Sequence, residues 1–265
     1  MTDGYSDSPQ GSTVFELNNG LVLPEEERDY VRSLIVQAIT AGYRLIDTSK
    51  IYATEDLVGE AIKESGVSRS DITVVTKLSC DDHHDVRAAF ERSRRMLDTY
   101  IDIYIMHWPQ GYTKDVSRPL APDESPTYIE VYKEMEKLVG PDCRAIGVGN
   151  LTQKTLDILL KETEIRPVVN EIEIHPRNPN TKLVPYCLER GIRPIAWGLA
   201  ENRRLAKLTD GEIQAINSLH EEIGRTWLID FVPPVWMEVP GKGKTIMGWT
   251  VQELGWVDDR GECLV

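Results

Sequence analysis

Gly42-Tyr-Arg-Leu-Ile-Asp-Thr-Ser-Lys-Ile-Tyr52 is the stretch on which the fold of this chain turns. The apolar pair Leu45 and Ile46 ends abruptly in Asp47. Tyr52 follows five residues later, and Glu55 and Asp56 then open a helical pattern. A carboxylate at a strand tip and a phenol at the next helix entry suit a site built on strand ends. The question for the rest of the chain is whether it supplies partners for these two residues.

The same rhythm continues on both sides. Upstream, Val14–Leu23 has the pattern of a hairpin with an Asn-Gly turn. Pro24 and three glutamates then open a helix whose inward face would be Tyr30, Leu34, Ile35, Ala38 and Ile39. Downstream, strands are expected at 72–77, 101–107, 145–149, 168–174 and 193–198. Helices are expected between them at 55–64, 85–97, 128–139, 152–161 and 183–190. Counted from Arg44, this makes six strands alternating with helices, the pattern of a parallel α/β sheet. Asp47, Lys77, His107, Asn150 and Trp197 all fall at C-terminal strand ends, where an α/β barrel carries its functional groups.

After Gly198 the alternation stops. Thr209-Asp-Gly-Glu212 forms a capping box ahead of a helix at 213–222. Residues 223–265, with Trp227, Trp236, Trp249 and Trp256, read as an extended C-terminal segment over the body. Residues 1–12 read as a disordered tail and 13–265 as one domain.

A net charge of −13 over 265 residues argues against a nucleic-acid footprint or an anionic membrane surface as partner. Cys80, Cys143, Cys187 and Cys263 are scattered, which fits free thiols in a reducing compartment. With no basic and apolar leader and no span-length apolar run, a cytoplasmic location is expected.

Seven stretches in order resemble the aldo-keto reductase family. They are Gly-Tyr-Arg-Leu-Ile-Asp-Thr (42–48), Ile-Tyr-Ala-Thr-Glu (51–55), Val-Thr-Lys-Leu (75–78) and Asp-Ile-Tyr-Ile-Met-His-Trp-Pro (102–109). Ile-Gly-Val-Gly-Asn (146–150), Val-Asn-Glu-Ile-Glu-Ile-His-Pro (169–176) and Leu-Thr-Asp-Gly-Glu-Ile (208–213) follow. The resemblance implies a TIM-barrel-like (β/α) fold and NADP(H)-linked reduction of an aldehyde, ketone or sugar carbonyl. Carbonyl reduction needs a hydride on carbon and a proton on oxygen. Tyr52 would be the proton donor, its phenol drawn down from a pKa of about 10 by Lys77. Asp47 would hold Lys77, and His107 would hydrogen-bond the carbonyl oxygen. Each residue also has a plainer reading. A strand-end Asp can cap a helix, a loop Tyr can pack, a strand Lys can snorkel and a His can line a wall.

The resemblance further implies that Asn150, Glu171, Trp197, Glu201 and Asn202 bind the cofactor. Trp108 would wall the substrate pocket. Glu171 stands where the family usually has Gln, and a carboxylate accepts but does not donate. Gly149 stands where a Ser is usual.

In two places the chain departs from what it resembles, a fungal-type member. The first barrel strand is absent, and so are the eighth strand and the Lys-Ser-bearing phosphate loop, because Trp197-Gly-Leu-Ala200 joins directly to Glu201-Asn202. The expected sheet is therefore an opened barrel of about six of eight strands with two free edges. The 14–23 hairpin or the tryptophan-rich segment would cover the gap. A cofactor-independent acid–base enzyme (isomerase, dehydratase or cyclase) and an inactive truncated homologue or binding protein remain open alternatives.

Overall fold

Strands and helices alternate from Glu25 to Trp197 in the computed structural model, which describes residues 25–197 and 236–258 and the single positions 211 and 260. Helix α1 (Glu25–Thr40) leads into strand β1 (Leu45–Asp47). There follow α2 (Glu55–Glu64), β2 (Thr73–Leu78), α3 (Val86–Leu97), β3 (Ile101–Met106), α4 (Tyr128–Glu136), β4 (Cys143–Gly149), α5 (Gln153–Glu162), β5 (Val169–Glu173), α6 (Leu183–Glu189) and β6 (Arg193–Trp197). The six strands form one parallel sheet in the order β1-β2-β3-β4-β5-β6. It is a curled half-barrel, so the expected incomplete (β/α) barrel is what is found. The expected hairpin at 14–23, the helix at 213–222, the tail at 1–12 and Trp227 lie outside the described residues.

Helix boundaries follow local chemistry. Asp85 caps α3 by accepting from the Ala88 N–H, and Thr127 with Glu130 forms a capping box on α4. Thr152 and Thr155 do the same for α5, as the Thr cap expected there implies.

The sheet separates two apolar layers. Outward residues such as Val74, Tyr104, Met106, Ile146 and Val148 join Phe90, Tyr132 and Leu156 of the helices in the main core. Inward residues make a far smaller cluster of Val75, Ile105 and Val169, flanked by half-buried Ile103 and Ile195. A closed barrel fills its interior from all sides. Here β1 and β6 pair on one side only among the described residues, and Leu45 of β1 is 47% exposed. At the N-terminal end of the sheet, Asp102 accepts from the Val74 N–H at 2.9 Å, from Arg69 at 2.7 Å and from Arg144 at 3.0 Å.

Helix α1 corrects one expectation. Ile39 is fully buried, but Tyr30 and Leu34 are 64% and 42% exposed. The helix is held to α2 by charge: Arg28 bonds Asp56, and Arg32 reaches Glu60 at 3.2 Å and Glu64 at 3.4 Å. Local periodicity marks an apolar stripe without saying which part of it a neighbour covers.

Helices α2 and α3 touch closely at Gly59, where an added Cβ would lie 2.2 Å from the Leu97 carbonyl oxygen. Backbone cannot yield there as a flexible side chain would. Gly59→Ala is expected to destabilise the fold by about 1–3 kcal/mol. A denaturant melt checks this, and an unchanged midpoint would show that the helices can part at no cost.

The C-terminal segment is more structured than expected. Strands β7 (Trp236–Val239) and β8 (Gly243–Ile246) form an antiparallel hairpin, and α7 (Val251–Leu254) follows. Gly241 and Gly243, at φ +81° and +72°, supply the turn. The described residues of this segment are tied to the rim and not to the open edges. Trp249 donates to the Leu120 carbonyl at 2.9 Å, Gln110 to Ile246 at 3.2 Å and Thr152 to Leu254 at 2.6 Å. It therefore packs on the loops after β3 and β4, at the middle of the C-terminal rim.

Candidate active site

Inward alternation on parallel strands brings Asp47, Lys77, His107 and Glu171 to one level at the C-terminal rim. The register sets Asp47 beside Val75, Lys77 beside Ile105, and Gly149 beside Glu171. After β1 the chain makes a short 3-10 turn, Lys50–Tyr52, that presents Tyr52. Ser49 caps this turn by accepting from the Ile51 N–H, and Ala53 leaves it at φ 53°. Lys50 ties the turn to the β2–α3 loop through Asp81 at 2.8 Å and Asp82 at 2.9 Å. The Thr48 and Thr54 hydroxyls, 2.9 Å apart, close it against α2.

Lys77 is at the centre, with its side chain 1% exposed. Its ammonium bonds the Asp47 carboxylate and donates to the Thr48 carbonyl at 3.1 Å. It lies 3.5 Å from Glu171 Oε2 and 4.9 Å from the centroid of the Tyr52 ring. The Tyr52 and His107 rings meet edge to face, 6.1 Å apart at 89°. The structure thus brings together the four residues singled out for acid–base work and adds Glu171 to them.

The charges differ from expectation in one respect. Lys77 does pull the Tyr52 phenol down, but burial pushes it up more, and Asp47 and Glu171 add to that. The net value stands above the ordinary 10.0, so Tyr52 holds its proton firmly. Burial pulls Lys77 down, yet Tyr52, Glu171 and Asp47 together keep it above its usual value. Burial also raises Asp47, against the pull of Lys77. His107 is pushed down to about 3 by burial and by Lys77, so its imidazole is neutral.

Glu171 is raised to about 7 by burial and by Asp47, with Lys77 opposing. The folded state therefore holds a proton on Glu171 that the unfolded chain has released between pH 4.5 and about 7. This contribution to stability is present at low pH and is lost as pH rises through that window. The unfolding free energy of the native chain relative to Glu171→Gln should be greater at pH 5 than at pH 8, by on the order of 2 kcal/mol. Denaturant melts of both chains at the two pH values test this, and an equal difference at both would contradict it.

The residues expected to hold a cofactor divide into two groups. Asn150, in the left-handed region at φ 60°, donates its amide to the His107 carbonyl at 2.9 Å. Its Oδ1 accepts from the Trp197 indole at 2.9 Å. Asn150 and Trp197 thus lock each other at the rim, beside a small open cleft that they line with Glu173, Asn178, Asn180 and Trp256. Glu201 and Asn202 lie outside the described residues. Trp108 is half-buried and packs on the main apolar core. Gly149 leaves no room for a Ser without movement, because a Cβ there would lie 2.5 Å from the His107 carbonyl oxygen.

Sequence reasoning missed one participant and one contact. Thr48 contributes its carbonyl to Lys77, a backbone role with no side-chain signature. Glu171, expected to bind cofactor, also sits against Lys77 at 3.5 Å. The signal that could have found it is alternation, since Glu171 shares the inward face with Val169 on β5 and sits beside a glycine on β4.

Fold and site together define a parallel-stranded (β/α) barrel protein with a lysine–carboxylate–tyrosine–histidine cluster on its C-terminal rim. The chain belongs to the aldo/keto reductase family, whose family model matches residues 19–231. It is 35% identical over 205 residues to glycerol 2-dehydrogenase (NADP(+)) of Saccharomyces cerevisiae, covering 68% of this chain and 65% of that one. It is 39% identical over 192 residues to glyoxal reductase of Bacillus subtilis, covering 71% and 61%. The match thus spans less than two thirds of either relative. Among solved structures, a Bombyx mori aldo-keto reductase in complex with NADP superposes with a TM-score of 0.60 at 30% identity, over 77% of this chain and 69% of that one. Aldose reductase from Giardia lamblia shares the fold, with a TM-score of 0.67 at 24% identity over 76% and 90%. Among the described residues, no helix is long and apolar enough to cross a membrane.

Proposed function

We propose that this chain is an NADP-linked reductase of a small aldehyde, ketone or sugar carbonyl, with Tyr52 as its proton donor. The observation that carries the reading is the convergence on Tyr52: Lys77 Nζ lies 4.9 Å from its ring centroid and His107 meets its edge. The nicotinamide end of the cofactor fits the residues present. Glu171 Oε2 is buried with no hydrogen-bond partner among the described residues, and an acceptor of that kind suits a carboxamide N–H. Trp197, half-buried at the tip of β6, offers a ring face. Asn150 has its amide committed to His107 and Trp197, so it would serve by holding Trp197 in place. When bound, NADPH supplies the hydride for the carbonyl carbon.

The chain's own residues handle the oxygen. Neutral His107 donates an N–H hydrogen bond that orients the carbonyl. Tyr52 passes its phenolic proton to the oxygen as negative charge develops there. Lys77 stabilises the phenolate left behind, while Asp47 and Thr48 keep its ammonium in place. The small-carbonyl substrate class is supported by the names of the two relatives above, and the NADP linkage by the Saccharomyces relative and the Bombyx mori neighbour. The test is NADPH consumption, followed at 340 nm with a panel of small aldehydes and ketones. Turnover with at least one of them is expected. Turnover of a substrate at equal rate with no nicotinamide present would overturn the reading in favour of a cofactor-independent acid–base enzyme.

A further inference from the structure

Lys77 has three N–H donors and four acceptors within reach. Two donors are committed, one to the Asp47 carboxylate and one to the Thr48 carbonyl at 3.1 Å. The third is contested. On one side is Tyr52, whose ring centroid lies 4.9 Å from Nζ; on the other is Glu171 Oε2 at 3.5 Å. Glu171 is 6% exposed, and Oε2 has no hydrogen bond among the described residues. A buried carboxylate oxygen left so is costly unless a cation serves it.

This contact reaches across the sheet from β2 to β5, and β4 permits it. Gly147 and Gly149 present no side chains to the interior, and a Cβ on Gly147 would strike Val169 at 2.5 Å. Lys77 and Glu171 thus meet at 3.5 Å above the layer that Val169 and Ile105 fill beside Gly147. Among the described residues, no other lysine or arginine forms an ion pair with Glu171.

We infer that Glu171 is a positioning residue that competes with Tyr52 for the third N–H of Lys77 and so sets how readily Tyr52 releases its proton. When Glu171 is ionised it draws the ammonium toward β5, and its charge also opposes a phenolate. When it is neutral the ammonium turns to Tyr52. Among the described residues, the ionisable groups that face Glu171 are Lys77 from β2, Asp47 from β1 and Tyr52 from the turn after β1, with His107 beyond them at the end of β3. His107 stays neutral above about pH 3. The direction of the Tyr52 shift supports the same balance, since Glu171 is among its causes.

The inference rests on Tyr52 being the proton donor, but its test needs neither cofactor nor substrate. Tyrosine labelled with 13C at Cζ reports each phenol separately, and Tyr52→Phe identifies the signal. In Glu171→Gln, the Tyr52 ionisation midpoint should fall by about one pH unit, a tenfold rise in its ionisation constant. Glu171→Asp, which keeps the charge but withdraws it by one methylene, should fall between the two. If Glu171→Gln does not fold, glutamate carboxyl labelling of the native chain decides. Glu171 should then titrate near neutrality, with the Tyr52 signal moving over the same pH range. An unmoved or higher Tyr52 midpoint in Glu171→Gln, or independent titration in the native chain, overturns the inference. A chain that fails to consume NADPH yet shows the shift would sink the proposed activity and leave this coupling standing.

Discussion

Tyr52→Phe should lower kcat for carbonyl reduction by about 10²–10⁴-fold while leaving NADPH affinity unchanged. The substitution removes one hydroxyl and keeps the ring that meets His107 edge to face. The loss is therefore one of proton donation, with packing preserved. Lys77→Met should act in the same direction, because the phenolate formed on Tyr52 would lose its cation. It differs in also leaving Asp47 and Glu171 without the ammonium they share. Replacing one partner of a buried ion pair destabilises by about 3–5 kcal/mol. Asp47 lies at the sheet edge with its side chain 31% exposed, so the cost falls mainly on Glu171. Steady-state kinetics on folded protein separates the two variants. A Tyr52→Phe chain within about tenfold of native kcat would remove Tyr52 from the chemistry.

Trp249→Ala should cost about 3–5 kcal/mol of unfolding free energy, the usual range for deleting a buried tryptophan. Trp249 is 3% exposed, meets Tyr128 edge to face at 6.2 Å and donates to the Leu120 carbonyl. With Ile246, Leu254 and Trp256 it joins the C-terminal hairpin and α7 to the main core. Removing it leaves a cavity and an unpaired buried carbonyl together. Trp249→Phe should recover part of the loss, because it restores ring volume without the N–H. Denaturant midpoints of the three chains give the ranking. A Trp249→Ala chain as stable as the native one would mean that the C-terminal segment is carried by the barrel without supporting it.

Much of the barrel was legible because each strand is a short apolar run that stops at a chemically marked residue. Leu45 and Ile46 stop at Asp47, Val74 and Val75 near Lys77, and Ile103 to Met106 at His107. Parallel pairing then places those residues side by side without further information. Three features depended on distances that a linear pattern does not encode. The contact between Lys77 and Glu171 needs the curl of the sheet and two side-chain-free positions on β4. The proton affinity of Tyr52 depends on how deeply the half-barrel buries it, and burial outweighs the one cation that the motif displays. The exposure of Tyr30 and Leu34 depends on which neighbour α1 meets. The C-terminal hairpin was hidden because β7 and β8 are four residues each and bury only Thr245 and Ile246, too short a pattern to stand out from a packed loop.

The central claim is that a half-barrel carrying the acid–base cluster of an aldo/keto reductase also holds the hydride donor. Titrating the purified chain with NADPH and following cofactor and tryptophan fluorescence tests it most directly, since the proposal sets Trp197 against the nicotinamide. The account predicts saturable binding that is weakened in Trp197→Ala. Fluorescence that never saturates, in a chain shown by its cooperative melt to be folded, would contradict it.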